Sequence, residues 1–342
     1  MEKPSTKEKV LSLLEQKRGQ SISGAQIAEM LKLSRTAIWK ACNALKDDGY
    51  PIIATTNKGY ILSQSSDILS PESIFATIEK IGNPHGITTE KILIFDKIDS
   101  TINEAKRLLL NNETSVDSLQ NTVIIAKEQT AGKGRRGRAF ESPKGDSIYI
   151  SFIMTPLEDM QKSQMITIAS AVATCKTIQE VANVSPAVKW VNDVFVSGKK
   201  ICGILTEAVT DLESGGIEAI ILGIGININI AKKAFPKELR EIAGSITLKS
   251  GLRNLFVSTL INNVIDCYKK ACDKEIIELY RDYSFLIGKP IYVIPLASNK
   301  DSQQKTPATA ISITDNGGLE VSYSDGQTEV LRSGEVSIRS AE

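Results

Sequence analysis

The sequence predicts an α+β fold of three domains: an N-terminal winged helix-turn-helix, a central mixed α/β domain built on one sheet, and a small C-terminal β-barrel. Capped amphipathic helices followed by two short strands fill residues 1–65. Strand-like and helix-like segments alternate over residues 66–283, and five short strands separated by turns fill residues 284–342. A chain of 342 residues is long enough for two or three domains.

The composition excludes several classes of protein. With 42% hydrophobic and 24% charged residues, the chain can bury a sizeable core. No apolar run approaches the roughly 18–20 residues of a membrane span, and the charged N-terminus is unlike a signal peptide. We therefore expect a cytoplasmic protein with no membrane partner. The five cysteines are scattered, and His85 is the single histidine, which argues against a Cys/His zinc site and a His-based catalytic triad.

The first sixty residues have the pattern of a winged helix. A first amphipathic helix ends at Gly19, and Ser23 with Gln26 forms a capping box that opens a second helix. After a short turn, Ser34 can cap a third helix with one apolar face. Two strand-like segments on either side of residues 55–59 then form the wing. The polar residues 63–71 that follow indicate a linker.

The charge of this region favours DNA as its partner. Residues 1–65 carry a surplus of +4, whereas residues 66–283 carry −1 and residues 284–342 carry −2. Polar and basic side chains on the third helix suit phosphates and base edges in a major groove. A protein-interaction module with a basic face is the alternative. The predicted contacts with operator DNA are Ser34, Arg35, Thr36, Lys40 and Asn43, with Lys58 in the wing.

The central region is predicted to form one sheet with helices packed on it. Its pattern predicts strands at residues 92–95, 123–126, 148–154, 201–205 and 217–222, and helices at residues 103–111 and 165–182.

A glycine- and arginine-rich loop is the strongest chemical signal in this region. The segment Gly-Lys-Gly-Arg-Arg-Gly-Arg at residues 132–138 carries four cations and three glycines. Glycines let the backbone approach an anion closely, and the cations neutralise it. The segment is not a Walker loop, because Lys133 is followed by Gly134 instead of Ser or Thr. An RGG-like nucleic-acid tract is the alternative, but it would normally lie in low-complexity sequence.

Together with four further motifs, this loop resembles the biotin protein ligases. With the winged helix in front and Gly-Glu-Val-Ser-Ile-Arg at residues 334–339, the chain is similar over essentially its whole length to the bifunctional form, which is both biotin ligase and biotin operon repressor. The four motifs are Asp99-Ser100-Thr101, Lys189-Trp190-Val191-Asn192-Asp193, Lys199-Lys200-Ile201-Cys202-Gly203-Ile204-Leu205 and Gly223-Ile224-Gly225-Ile226-Asn227.

The resemblance implies a two-step reaction. Biotin and ATP would form biotinyl-5′-AMP with release of pyrophosphate, and a lysine of a carboxylase biotin-carrier domain would then take the biotin as an amide. It also implies Mg²⁺ held mainly by the ATP phosphates, and a homodimer that forms on adenylate binding and represses at operator DNA. The C-terminal barrel would be SH3-like, and it would close over ATP or dock the carrier domain.

The resemblance also assigns the site residues. Lys200 and Arg135 would be catalytic, as positive charges on the biotin carboxylate and the α-phosphate. An N-cap role for the Ser-Thr pair and core packing of Trp190 are the alternatives for those residues. Biotin would be bound by Ser100, Thr101, Gln129, Lys133, Gly134, Arg135, Lys200, Gly203, Gly223 and Gly225, and ATP by Lys133, Arg135, Arg136, Arg138, Trp190, Asn192, Asp193 and Asn227.

Three residues depart from the pattern of that family. Lys133 stands where arginine is usual, so the charge is kept but the bidentate fork is lost. Val191 replaces a usual proline. Ile102 replaces a usual asparagine, and Asn103 follows it.

Two other functions are compatible with parts of this sequence. One is a winged-helix repressor that senses biotin without catalysis, and the other is a lipoate-type ligase. Lys200 and the arginine-rich loop argue against the first, because sensing a neutral ring needs no cluster of phosphate-neutralising charges. The same loop and the added winged helix argue against the second.

Overall fold

A computed structural model describes residues 4–55, 59–111, 115–142, 145–156, 163–210, 215–294, 305–332 and 335–338. Several residues named from the sequence lie outside this part, namely Lys58 in the wing, residues 295–296 at the end of a predicted strand, and both Gly334 and Arg339.

The N-terminal region forms the expected winged helix-turn-helix. Its elements are α1 (Thr6–Gln16), α2 (Gly24–Leu31), α3 (Arg35–Asp47), β1 (Ile52–Thr55) and β2 (Gly59–Leu62), and the two strands pair antiparallel. Both predicted caps are present, since the Ser23 and Ser34 side chains accept hydrogen bonds from the backbone N–H groups of Gln26 and Ala37. Met30 lies in the apolar pattern of α2, but it is 56% exposed and does not join the core of this region.

The segment after the wing is fixed against its surroundings by hydrogen bonds. The two Asp67 carboxylate oxygens accept from the backbone N–H groups of Gly251 and Arg253, at 2.8 and 3.1 Å. The Arg18 guanidinium of the winged helix donates to the Ser66 carbonyl at 2.9 Å. Arg18 also pairs with the buried Glu15 at 2.7 Å. The next helix, α4 (Pro71–Ile81), packs against α1, so the residues predicted to form a linker join two packed regions.

The central region contains one seven-stranded sheet in the order β3-β4-β5-β9-β8-β7-β6, in which β3 and β4 are parallel and the remaining neighbours antiparallel. The elements after α4 are β3 (Ile92–Phe95), α5 (Thr101–Leu110), α6 (Val116–Leu119), β4 (Thr122–Ala126), β5 (Ile148–Met154), α7 (Ser163–Thr177), β6 (Pro186–Lys189), β7 (Asp193–Val196), β8 (Lys199–Thr210), β9 (Ile217–Ile226), α8 (Arg253–Lys269) and α9 (Lys274–Tyr283).

The sequence correctly predicted one sheet with helices packed on it, but it did not predict all of the strands and helices or their full lengths. All five predicted strands are present. Strand β8 begins two residues earlier and ends five residues later than predicted, β9 ends four residues later, and β6 and β7 were not predicted. Both predicted helices are present, and the second continues from α7 into a π-helical turn at Ile178–Ala182. Helices α4, α6, α8 and α9 were not predicted.

The C-terminal region is the expected set of five antiparallel strands. They are β10 (Pro290–Ile294), β11 (Thr306–Ile313), β12 (Leu319–Tyr323), β13 (Thr328–Leu331) and β14 (Glu335–Ile338), and they form one sheet in the order β13-β12-β11-β10-β14. Apolar residues of this sheet, including Ile291 and Val321, belong to the same hydrophobic cluster as the central sheet. The two regions therefore share a core.

The turn between β11 and β12 connects the C-terminal strands to the central region. The carbonyl of Gly317 accepts from the Trp190 indole N–H at 2.9 Å and from the Gln164 amide at 2.6 Å. Gly317 has a φ of +78°, and a Cβ atom there would lie 2.3 Å from Cδ1 of Ile168 in α7. Only glycine meets both conditions, so the turn fits closely against α7.

All five cysteines are free, and four of them are buried. Burial raises the pKa of the thiols of Cys42 and Cys267 to about 11. Cys175 and Cys202 are also buried, whereas Cys272 is exposed. Within the described residues, no helix combines the length and the apolar character needed to cross a membrane.

Candidate functional site

A cavity of about 340 Å³ lies over the centre of the seven-stranded sheet. Its walls are the start of α5, the loop of residues 132–140, the middle of β8 and β9, and the turn between β6 and β7. All ten residues predicted to bind biotin line it, and so do six of the eight predicted to bind ATP. The lining residues that the sequence did not assign are Ile102, Ala139, Phe140, Tyr149, Ile150, Lys189, Ile204, Leu205, Ile224 and Ile294.

Ser100, Thr101 and Gln129 form a network of neutral hydrogen-bonding groups in the cavity wall. Ser100 is the N-cap of α5, and its hydroxyl accepts from the backbone N–H of Ile102 at 3.3 Å. The Gln129 side-chain oxygen accepts from both the backbone N–H and the hydroxyl of Thr101, at 2.8 and 3.2 Å. The Ser151 hydroxyl of β5 donates to the Thr101 oxygen at 2.7 Å. These bonds hold the hydroxyl and amide groups in fixed orientations at the cavity wall.

Glycines on β8 and β9 make room for the aromatic side chain of Phe140. Gly203 and Gly225 are partners across the two strands. A Cβ atom on Gly225 would lie 2.4 Å from the Phe140 ring, and one on Gly203 would lie 3.1 Å from it. The ring also packs edge-on against Tyr149, with centroids 6.4 Å apart. Gly203 and Gly225 were predicted to bind biotin, and in the structure they also make room for an aromatic side chain of the protein itself.

The glycine- and arginine-rich loop is closed into a narrow hairpin by its own backbone. The N–H of Gly134 donates to the Arg138 carbonyl at 2.8 Å, and the N–H of Phe140 donates to the Gly132 carbonyl at 2.9 Å. Lys133, Arg135 and Arg138 line the cavity. Arg136 lies at the tip with a φ of +59° and is outside the lining.

The two residues predicted to be catalytic, Lys200 and Arg135, each contact a polar side chain at or next to the start of β7. The Lys200 Nζ lies 2.6 Å from an Asp193 carboxylate oxygen. The Arg135 guanidinium donates to the Asn192 side-chain oxygen at 2.9 Å, and the Asn192 amide donates to the Ile204 carbonyl at 3.0 Å. Asn192 therefore bridges the loop and β8.

The balance of charge in the cavity is strongly positive. Its lining carries five basic side chains and the single carboxylate of Asp193. Basic groups concentrated in one concave site attract a polyanion such as a nucleoside triphosphate. Asn227 takes no part in the lining; it is 8% exposed, and its side chain donates to the Gly244 carbonyl at 3.0 Å.

Comparison with known proteins identifies relatives of two regions of the chain. The sequence model of the biotin/lipoate A/B protein ligase family matches residues 94–227, and that of an HTH domain matches residues 6–61. The chain is 31% identical over 326 residues to the bifunctional ligase/repressor BirA of Bacillus subtilis, covering 93% of this chain and 94% of that protein. This chain belongs to the biotin/lipoate A/B protein ligase family.

A second relative and a solved structure also resemble this chain, in sequence and in fold respectively. BirA of Bacillus spizizenii is 34% identical over 274 residues, covering 80% of this chain and 78% of that protein. The structure of a biotin protein ligase from Aquifex aeolicus in complex with biotin and ATP has a TM-score of 0.57. It covers 73% of this chain and 99% of its own at 23% identity, which shows a common fold.

The departures from the pattern of this ligase family can now be located. Ile102 is 4% exposed, lines the cavity and lies over Gly223, where a Cβ atom would come within 2.7 Å of its Cδ1. The following Asn103 donates to the Asp99 carboxylate at 2.7 Å and is not in the lining. Val191 is 6% exposed, and its carbonyl accepts from the Tyr280 hydroxyl at 3.1 Å.

Proposed function

We propose that this chain activates biotin with ATP to biotinyl-5′-AMP and transfers the biotin to a lysine of a carboxylase biotin-carrier domain. The observation that carries the proposal is one cavity that combines two environments. A fixed neutral network around Thr101 and Gln129 suits a polar but uncharged ring, whose N–H and C=O groups would be costly to bury unpaired. The five basic side chains suit the phosphates and the carboxylate.

The roles proposed for Lys200 and Arg135 follow from the charges of the two substrates. Biotin carboxylate must approach the α-phosphate of ATP, and both carry negative charge. Positive groups fixed before the reaction lower the energy of the transition state without reorganising during it. The contacts of Lys200 with Asp193 and of Arg135 with Asn192 support such preorganisation.

We propose that Mg²⁺ arrives with ATP and is bound mainly by its phosphates. Magnesium prefers oxygen ligands and commonly takes one or two carboxylates together with substrate phosphates. In the described part of the chain, no group of three or more His, Cys, Asp or Glu residues could hold a metal ion. Asp193 would supply a carboxylate oxygen at the cavity wall, and the ion would add positive charge beside the phosphates.

The proposal has a second part, which concerns the winged helix. As an adenylate-bound dimer, the chain would bind operator DNA and repress biotin-related genes. The HTH domain and the relatives named as ligase/repressors support this part. Two winged helices on a palindromic operator bind more tightly than one, because a two-fold protein matches a two-fold site.

The test of the ligase is direct. The purified protein, given biotin, ATP and Mg²⁺, should attach biotin to a purified biotin-carrier domain, and omission of ATP should abolish the labelling. A protein that binds biotin but never labels the carrier would be the non-catalytic repressor instead. If lipoate is attached and biotin is not, the chain is a lipoate-type ligase.

The test of the repressor uses the same protein with each ligand combination. Biotin plus ATP should promote dimerisation in sedimentation experiments and raise operator affinity in gel-shift titrations, whereas ATP alone should not. Unlabelled carrier domain should reverse both effects by consuming the adenylate. Equal affinity and equal oligomeric state under all conditions would contradict the proposed switch.

A further inference from the structure

A large aromatic side chain, Trp39, lies on the exposed face of α3. Trp39 is 57% exposed, although the chain contains only two tryptophans and the other, Trp190, is 4% exposed. The opposite face of α3 is buried through Ile38, Ala41, Cys42 and Leu45. Trp39 does not belong to the hydrophobic cluster that the described residues of the winged helix form.

The neighbours of Trp39 on the helix surface are polar or basic. Residues three and four apart on a helix lie side by side, so Trp39 adjoins Arg35, Thr36, Cys42 and Asn43. Cys42 is buried, which leaves the other three as its neighbours on the surface. Arg35, Thr36 and Lys40 are exposed, and Asn43 is half-buried. The indole ring is therefore bracketed by the side chains predicted to contact DNA.

The charges along α3 indicate what covers this face. From Arg35 to Lys46 the helix carries three basic residues and no acidic one. Its acidic residues stand at the C-terminal end, at positions 47 and 48, and the Asp48 carboxylate is paired with Lys7 at 2.9 Å. A basic N-terminal portion with an aromatic side chain at its centre is complementary to a nucleic-acid groove lined by phosphates.

We propose that Trp39 contacts the C5-methyl group of a thymine in the major groove and so specifies an A·T pair at one operator position. The second helix of a helix-turn-helix enters the major groove with its N-terminal residues on the base edges. The thymine methyl is the apolar group presented there, while the other groups are hydrogen-bond donors and acceptors. The inference rests on the proposed operator binding and adds to it a contact that selects sequence.

The experiment first needs a DNA probe. Duplexes are selected from a random-sequence pool by the full-length protein in the presence of biotin and ATP. In the enriched duplex, each thymine is then replaced singly by deoxyuridine, which removes the methyl group and leaves base pairing intact. Affinities are measured for the wild type and for the exposed-site variants Trp39→Ala and Met30→Ala.

The expected result is a loss that depends on both partners. Wild-type affinity should fall about fourfold at one thymine, the effect of one buried methyl group. Trp39→Ala should bind the unmodified duplex more weakly and should not respond to deoxyuridine at that thymine. Met30→Ala, which removes an equally exposed apolar side chain from α2, should behave as the wild type. Carrier labelling should be unchanged in both variants, because neither residue lines the cavity.

A second measurement uses the native tryptophans. Acrylamide should quench mainly Trp39, since Trp190 is buried, and the enriched duplex should protect it. Protection that depends on protein concentration without DNA would instead indicate a second copy of the chain on this face and overturn the proposal. An identical deoxyuridine profile for the wild type and Trp39→Ala would overturn the methyl contact alone. Failure of the selection to enrich any sequence would overturn operator binding itself.

Discussion

Lys200 and Lys199 are adjacent in the sequence but lie in different electrostatic surroundings. Lys200 lines the cavity and pairs with Asp193, whereas Lys199 contacts Glu241 away from the cavity. We expect Lys200→Ala to slow adenylation by about 10²–10³-fold, the usual cost of removing one preorganised electrostatic contact. Biotin affinity should change far less, because the charge is needed most when negative charge develops on phosphorus.

Pyrophosphate release and calorimetric titration of biotin measure these two quantities. Lys199→Ala is the matched control and should release pyrophosphate at the wild-type rate. Release at the normal rate by Lys200→Ala would remove this lysine from the mechanism.

At the residue scale, the charged and glycine positions of the cavity could be predicted from the sequence, but its aromatic wall could not. Lysines and arginines neutralise anions and glycines allow close approach, so their presence together in short motifs indicates a binding site. Phe140 gave no comparable signal. Its role depends on Gly203 and Gly225, which face its ring from two paired strands that are far from Phe140 in the sequence. Ile102 departs from the pattern of the family, but its contact with Gly223 could not be predicted from the sequence, because the two residues are far apart along the chain.

At the scale of secondary-structure elements, two turn glycines of the C-terminal sheet permit a controlled test. Gly317 and Gly326 have φ values of +78° and +85°. A Cβ atom on Gly326 meets nothing within 4 Å, whereas one on Gly317 would lie 2.3 Å from Ile168. Gly326→Ala should therefore cost only the strain of a left-handed alanine, about 1–2 kcal/mol.

Gly317→Ala should cost a further 1–3 kcal/mol or so, typical of overpacking, because the turn must move away from α7. Urea unfolding of both variants measures the difference in the free energy of unfolding. Since Trp190 donates to the Gly317 carbonyl and lines the cavity, ATP binding should weaken in Gly317→Ala and stay normal in Gly326→Ala. Equal stability of the two variants would mean that the turn does not hold the C-terminal strands in place.

Some helices and strands were not predicted because they lack the periodic pattern of apolar residues on which the prediction depends. Helix α8 has ten buried residues distributed over most of its circumference, because it packs against both α4 and α7. A helix covered on several sides has no single apolar stripe to detect. Strands β6 and β7 are only four residues long and are joined through the turn around Trp190. The amphipathic helices of the winged region, with one exposed face each, were correctly predicted.

On the scale of the whole molecule, Asp67 links the segment after the winged helix to the central region. Its carboxylate accepts from two backbone N–H groups at the start of α8, a helix whose own N-cap residue, Leu252, has no side-chain cap. Asp67→Ala should lower the free energy of unfolding by about 0.5–2 kcal/mol, the usual effect of losing a cap. It should also weaken operator binding, since the segment that orients the winged helix loses its anchor.

The carrier-labelling rate of Asp67→Ala should remain normal, because Asp67 lies outside the cavity lining. The control is Asp48→Ala, which removes a half-exposed surface pair with Lys7 and should have little effect on stability. Gel shifts and urea unfolding provide both readouts. Unchanged operator affinity in Asp67→Ala would show that other contacts orient the winged helix.

Composition predicted a linker at residues 63–71 but not its attachment. Serine and aspartate are typical of exposed connections, and nothing in the segment itself reveals that the backbone of residues 251–253 is close enough to bond with it. That contact joins residues about 185 positions apart. The order of the three regions could be read locally, whereas their packing could not.

The exposed thiol at the end of α8 has a practical consequence for spectroscopy. Thiolate is the reactive form of cysteine, so the four buried residues should react slowly with maleimide dyes at neutral pH. Cys272 should therefore take one dye per chain without any engineered substitution. Energy transfer between donor- and acceptor-labelled copies would then record subunit exchange in real time as biotin, ATP and carrier domain are added. Because Cys272 is the one exposed cysteine, a dye attached to it can report assembly of the unmodified sequence.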